Sequence, residues 1–497
     1  METNGSVAEA ERGEIAELAG GRLGRLLFRY SWPALAAMSL NALYAVVDRL
    51  WIGQGCGEAA MAGLQLAMPV MMFFVACGVL IGAGHATVLS IRLGAGDFVA
   101  CEKVVGQLVA MKLVVFLALS PLVYFNLDTV LGWCGGGRIS AEALAAGESY
   151  LRTVVFFSVF AHLAFGLSAL QRAEGGAIRS MMSMVVGFGA NLILDPLFIF
   201  GFGLGVSGAA WATNVSMLLS FAWAARYYLR GETAVAFRWW RIGLYREFLG
   251  RVFALGFAPF LQNLLGALIS VSLAAAFAKW ADSPESATRQ IASLGVYNAM
   301  MILTIMPIMG TQQGLQPIFG YSWGARNFRR VRDTLRLGLW VTTVLCVAAC
   351  VVQVVPPFPQ LFVRLFVPPD NAALSALAAH DLAVSNCMIW TISINVVATT
   401  FFQSIGHPRM AVMLSTLRQG LILLPCIWLL PHFMSDHALA IWLAMPVSDV
   451  LCQLATILPL VLYVRFLSRV RTRPFAFSGS RGAADLLEYA SREAVKR

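Results

Sequence analysis

Runs of about twenty apolar residues recur along the whole chain, separated by short polar or basic stretches. A helix of that length spans a hydrocarbon core roughly 30 Å thick. Inside lipid every backbone polar group must be satisfied within a helix or a closed barrel. The runs lie near 27–52, 65–91, 106–126, 150–170, 178–201, 208–229, 250–277, 291–320, 335–355, 384–404, 411–431 and 438–464. A transmembrane barrel would instead show short alternating segments. The expected fold class is all-α, a polytopic membrane protein with twelve transmembrane helices. Of 497 residues, 59% are hydrophobic and only 12% charged, against about 25% charged in soluble domains.

The net charge of +10 raises the question of nucleic acid, and its distribution answers it. With the N-terminus in the cytosol, 30 of the 36 Lys and Arg fall in the two tails, in every second loop or in the helix portions nearest them. The other 6 are Arg49, Arg138, Arg152, Lys279, Arg289 and Arg364. This positive-inside bias places the chain in the inner (plasma) membrane as a multi-pass protein with both termini cytosolic. Its macroscopic partner is the lipid bilayer, with no role for nucleic acid. The basic stretches 226–251 and 326–336 then act as topogenic faces near anionic lipid. Residues 1–25 are polar and lack the apolar core of a signal peptide. The nine Cys have no metal or redox spacing. Cys56 and Cys134 both fall in outward loops and could pair.

Long chains are first searched for self-similarity. SWPALA at 31–36 parallels GFAPFL at 256–261, setting Pro33 against Pro259. LGAGDF at 93–98 parallels WGARNF at 323–328, LILDP at 192–196 parallels LILLP at 421–425, and RAEGGAI around Gly175 parallels QSIGHPR around Gly406. The offsets stay between 226 and 231. Each half holds six spans, so the halves share one membrane orientation and a pseudo-two-fold along the membrane normal, with a site near the midplane. The expected organisation is an N-terminal tail (1–25), an N-lobe (26–230), a linker (231–250), a C-lobe (251–465) and a C-terminal tail (466–497), in a monomer. Pro33 and Pro259 lie inside the first span of each half, where a lost hydrogen bond invites a bend. Two like lobes rocking about a shared site would give alternating access.

The repeat also serves as an internal control. Asp48 sits in LYAVVDRLWIG, but its counterpart is Ala274. Asp195 has Leu424 as counterpart, and Asn191 has Gly420. The second half builds a lobe without these groups, so they are not needed for the architecture. At 1.5 Å per residue, Asp48 lies roughly 30 Å and Asp195 roughly 25 Å from the cytosolic starts of their helices, and Thr213 about 8 Å below the outer end of its own. Asn191 and Asp195 share a helix face, as do Tyr44 and Asp48. Carboxylates, an amide and a hydroxyl at one depth suit Na⁺, and the two acids could share a proton instead. Intramembrane acids mark ion or substrate paths; a polar cluster without an ion is the structural alternative. In the second half, Arg418 and Asp449 lie inside the last two spans, as an ion pair or as a drug site. His85 and His162 read as hydrogen-bonded interior residues.

At these residues the chain resembles the multidrug and toxic compound extrusion (MATE) exporters, over about residues 25–465. The resemblance is carried by LYAVVDRLWIG, LGAGDF, RAEG, NLILDPLFIFGFGLGVSGAAWAT and IMPIMGTQQGLQPIFGYSWGARNF. It implies two six-helix lobes and export of small, bulky, amphipathic and often cationic compounds in exchange for inward Na⁺ or H⁺. It implies an N-lobe cation site at Asp48, Asn191, Asp195 and Thr213 with Tyr44 nearby, and a bending proline at Pro33. A further polar position appears as Ser168, and the acids that some branches carry in the seventh and tenth helices are replaced by Gln262 and Asn395. Coupling through the N-lobe is therefore expected. The nearest rival is a flippase for lipid-linked precursors of the same wider superfamily. No HExxH, DxD, nucleophile or P-loop motif is present, so neither an enzyme nor an ATP-driven pump is expected, and no cofactor beyond the transported ion.

Overall fold

The computed structural model describes residues 17–133, 140–231, 233–364 and 371–469. Among these, all regular structure is helical. The long helices are α1 (Leu23–Gly94), α2 (Phe98–Phe125), α3 (Ala141–Glu174), α4 (Ala177–Pro196), α5 (Gly205–Arg230), α6 (Arg246–Trp280), α7 (Pro284–Gly324) and α8 (Phe328–Val354). They continue with α9 (Ala372–Asn386), α10 (Ile392–Ser404), α11 (Pro408–Thr416), α12 (Leu424–Leu429) and α13 (His437–Arg469). Helix α1 is two spans joined at Gly57, whose φ of 80° and ψ of −175° are open only to glycine. α9 and α10 form one span, as do α11 and α12. Ten spans meet the length and apolarity of a membrane crossing. The first half of α1 and the more polar α5 complete the twelve-helix, two-lobe architecture.

The helices outrun the apolar stretches that announce them. α7 begins at Pro284 and α9 at Ala372, where the expected spans begin at 291 and 384, because polar turns extend helices beyond the hydrocarbon layer. α6 starts at Arg246, inside the expected linker, and a short 3₁₀ turn, Trp239–Arg241, occupies the middle of that linker. Cys134 lies outside the described residues.

The chain forms two compact units. Among the described residues, one runs up to Gly256 and includes Gly320–Ala325, and the other comprises Phe257–Phe319 and continues from Arg326. In the first, α3 is the central helix, with 67% of its apolar window buried. In the second, the span Ala372–Ser404 holds the same place, with 61% buried, against 44% or less for every other span. The fourth span of each half is thus its core. α3 meets α1 where two glycines touch: a Cβ on Gly63 would lie 2.4 Å from the Ala143 carbonyl, and one on Gly147 would lie 2.7 Å from the Gly63 carbonyl. Small residues allow this approach where lipid supplies no hydrophobic driving force.

The repeated landmarks are repeated turns. In LGAGDF, Gly96 takes a φ of 73° and Asp97 caps α2, accepting from the Ala100 N–H at 3.1 Å. In WGARNF, Arg326 takes a φ of 56° and Asn327 caps α8, accepting from the Arg330 N–H at 3.0 Å. Gly175 and Gly406 both end helices in the left-handed conformation. The following N–H groups close back on Gln171 and Phe402, at 2.8 and 2.9 Å, the hydrogen-bond signature of a glycine-terminated helix.

Candidate functional site

The candidate site lies within the first unit. Asn191 and Asp195 stand one turn apart at the end of α4, and the Asn191 Nδ2 donates to Asp195 Oδ1 at 3.1 Å. Pro196 follows directly and has no N–H to close the helix, and the chain opens into a π turn over Leu197–Gly201. Such turns cluster at functional positions. The turn packs on α1, with Phe200 edge-on to Trp51 at 6.0 Å. α1 brings Asp48 against Asp195, close enough for the two acids to interact directly. Tyr44, one turn before Asp48, stacks on Phe188 of α4 at 5.3 Å. α5 contributes Thr213, and α3 contributes Tyr150; the Tyr44 and Tyr150 phenols are its polar neighbours and face both acids.

All four expected ligand residues are buried: Asp48 is 9% exposed, Asn191 2%, Asp195 1% and Thr213 6%. Three of their oxygens, Asn191 Oδ1, Asp195 Oδ2 and Thr213 Oγ1, have no hydrogen-bond partner. Leaving a buried polar atom unpaired costs about 1–3 kcal/mol, and a cluster of such atoms asks for a missing partner. The donor set is neutral and anionic oxygen only, and Asp195 makes no ion pair among the described residues. Hard oxygens in this arrangement suit a monovalent cation, and two facing carboxyls suit one shared proton.

The second unit has a different polar centre. Arg418 Nε donates to Asp449 Oδ1 at 2.6 Å, so the expected pair forms, with Arg418 on a π turn over Leu417–Leu423. Asn395 is committed to structure: its Nδ2 donates to the Leu414 carbonyl at 3.1 Å and to Thr456 Oγ1 at 3.2 Å. Gln262 is exposed. Ser168 bonds Ser183, two turns of α4 before Asn191, rather than the acids. Pro33 and Pro259 lie within α1 and α6, and the backbone of α1 leaves helical geometry only at Gly57. His85 Nδ1 meets the Ile81 carbonyl at 2.8 Å, and the His162 ring stacks on Phe116 at 3.8 Å.

Three polar residues escaped the sequence reading. Tyr150 gave no periodic signal, because it lies near the polar start of its helix. Lys112, counted there with the basic residues of one side, is fully buried in α2 and donates to the Gly78 carbonyl at 2.8 Å; its position inside an apolar run was the available clue. Asp381 lies before the expected tenth span, yet is buried in α9 and accepts from Ser293 Oγ at 2.7 Å.

Twelve membrane helices in two like halves, with a buried acid pair in one of them, define a multi-pass membrane transporter. The MatE family model matches residues 33–197 and 260–429, one stretch in each half, and the chain belongs to this family. The multidrug export protein MepA of Staphylococcus aureus is 26% identical over 442 residues, covering 87% of this chain and 92% of the relative. Its namesake in Staphylococcus saprophyticus is 24% identical over 432 residues, with the same coverage. An outward-facing multidrug resistance MATE transporter of the MOP superfamily superposes with a TM-score of 0.83 at 21% identity, covering 91% of this chain and 98% of that one. A MATE structure in the bent conformation gives 0.83 at 20% identity, covering 92% and 98%.

Proposed function

We propose that this protein exports amphipathic, often cationic small molecules across the plasma membrane in exchange for inward Na⁺ or H⁺. The cluster of Asp48, Asn191, Asp195 and Thr213, with Tyr44 beside it, is the coupling site. The observation that carries this is the meeting of two buried acids with three unpartnered oxygens in one unit, at positions the other half fills with Ala274, Gly420 and Leu424. Likeness to multidrug export proteins supports the substrate class. A bound ion would offset the repulsion of the two carboxylates and complete the shells of the three oxygens. Its arrival and departure would bias the lobe between two shapes, and Pro33 and Pro259 would take up the bend in alternating access. The protein works as a monomer with both tails in the cytosol, and needs no cofactor beyond the ion.

The test is dye efflux from proteoliposomes under separately imposed Na⁺ and H⁺ gradients. Efflux driven by one gradient supports antiport and identifies the ion. Equal, gradient-independent leakage under both would overturn the proposal.

A further inference from the structure

The Arg418–Asp449 pair is lopsided. Asp449 is 2% exposed at its side chain, whereas Arg418 is 21% exposed. Arg418 is held through Nε alone, and neither of its Nη atoms has a partner among the described residues. Tyr297 of α7, Cys346 of α8 and Cys452 of α13 lie near the guanidinium, and Cys387 near Asp449. Helices of the same unit therefore flank the pair, which assigns the accessible part of Arg418 to the bundle interior rather than to lipid. A guanidinium facing lipid would be strongly disfavoured.

An Arg fixed at Nε presents its two Nη groups as a planar fork, the geometry that takes a carboxylate through two parallel hydrogen bonds. The charge balance narrows the ligand further. Arg418 and Asp449 already neutralise each other, so a simple anion would leave one net negative charge inside the lobe. A simple cation would meet the guanidinium before the hidden carboxylate. Gln453, one turn beyond Asp449 on the same helix face, has a buried side-chain oxygen without a partner, an acceptor for an N–H of the same ligand. We propose that the second half carries a carboxylate-binding subsite with Arg418 as its donor, and that its ligands are zwitterionic amphiphiles. This deepens the export reading above and rests on it for physiological meaning, but the binding itself does not depend on ion coupling.

The test uses the purified full-length protein and two fluorescent probes, a rhodamine with a free benzoate and its methyl ester, with binding followed by anisotropy in the absence of any gradient. The wild type is expected to bind the free carboxylate more tightly than the ester. Arg418→Lys, which keeps the charge but loses the planar fork, should weaken the free carboxylate about tenfold and the ester less than about twofold. Arg418→Gln combined with Asp449→Asn removes both charges without leaving either unpaired. It should show the same selective loss, which guards against a misfolded single variant. Equal affinity of the wild type for both probes, or equal loss of both in the variants, would overturn the subsite. Failure of gradient-driven efflux with selective binding intact would overturn the export reading and leave the subsite standing.

Discussion

The two units share caps, turns and a buried fourth span, yet they bury opposite polar centres. The first gathers two acids around unpartnered oxygens and pairs Asp195 with no cation among the described residues. The second neutralises its acid with a guanidinium at 2.6 Å. Each centre sits at a π turn, at Leu197–Gly201 and Leu417–Leu423. The same scaffold thus tolerates either an incomplete anionic shell or an internal ion pair. An incomplete shell is the kind that a transient ion completes, and a closed pair holds structure by leaving neither charge unpaired, even where one member keeps donors to spare.

Mutations should separate the two centres. The largest effect is expected from Asp195→Asn: gradient-driven efflux should fall about tenfold to a hundredfold, while thermal stability of the purified protein holds. In the second unit the ranking reverses. Asp449→Asn alone strands the Arg418 charge and should cost about 3–5 kcal/mol of stability, with the Arg418→Gln partner substitution restoring much of it, as read by thermal unfolding in detergent. If Asp449→Asn left the melting temperature unchanged, the pair would have no structural role. Gly147→Val, at the contact of α3 with α1, should destabilise by about 1–3 kcal/mol through overpacking. It should lower the yield of folded protein without changing which ion drives efflux. Thr213→Ala should be mildest, weakening ion dependence by a few-fold, in line with the loss of one neutral oxygen ligand. A concentration series of the driving ion would detect it.

Much of this was legible in the sequence because lipid makes polarity conspicuous. Asp48, Asn191, Asp195 and Thr213 stood out as polar residues at one depth, and helix rise alone brought them together. The repeat removed architecture as a reason for them. The turns behind the repeat were legible as well, since Asp97 and Asn327 occupy equivalent caps. Tyr150 was not, because a polar aromatic near a helix end carries no depth signal. Lys112 was hidden by the tally of basic residues, and Asp381 by a span boundary drawn on hydropathy alone. The asymmetry of the Arg418–Asp449 pair could not be read from spacing, because it depends on which side of each helix the neighbours cover.

The most direct test is made on proteoliposomes carrying wild type or Asp195→Asn, loaded with a cationic dye and given the gradient that drives the wild type. The expected result is efflux in the wild type and none above leakage in the variant, with dye affinity in the two proteins equal within about twofold. Equal gradient-driven efflux from both would contradict the assignment of coupling to this site.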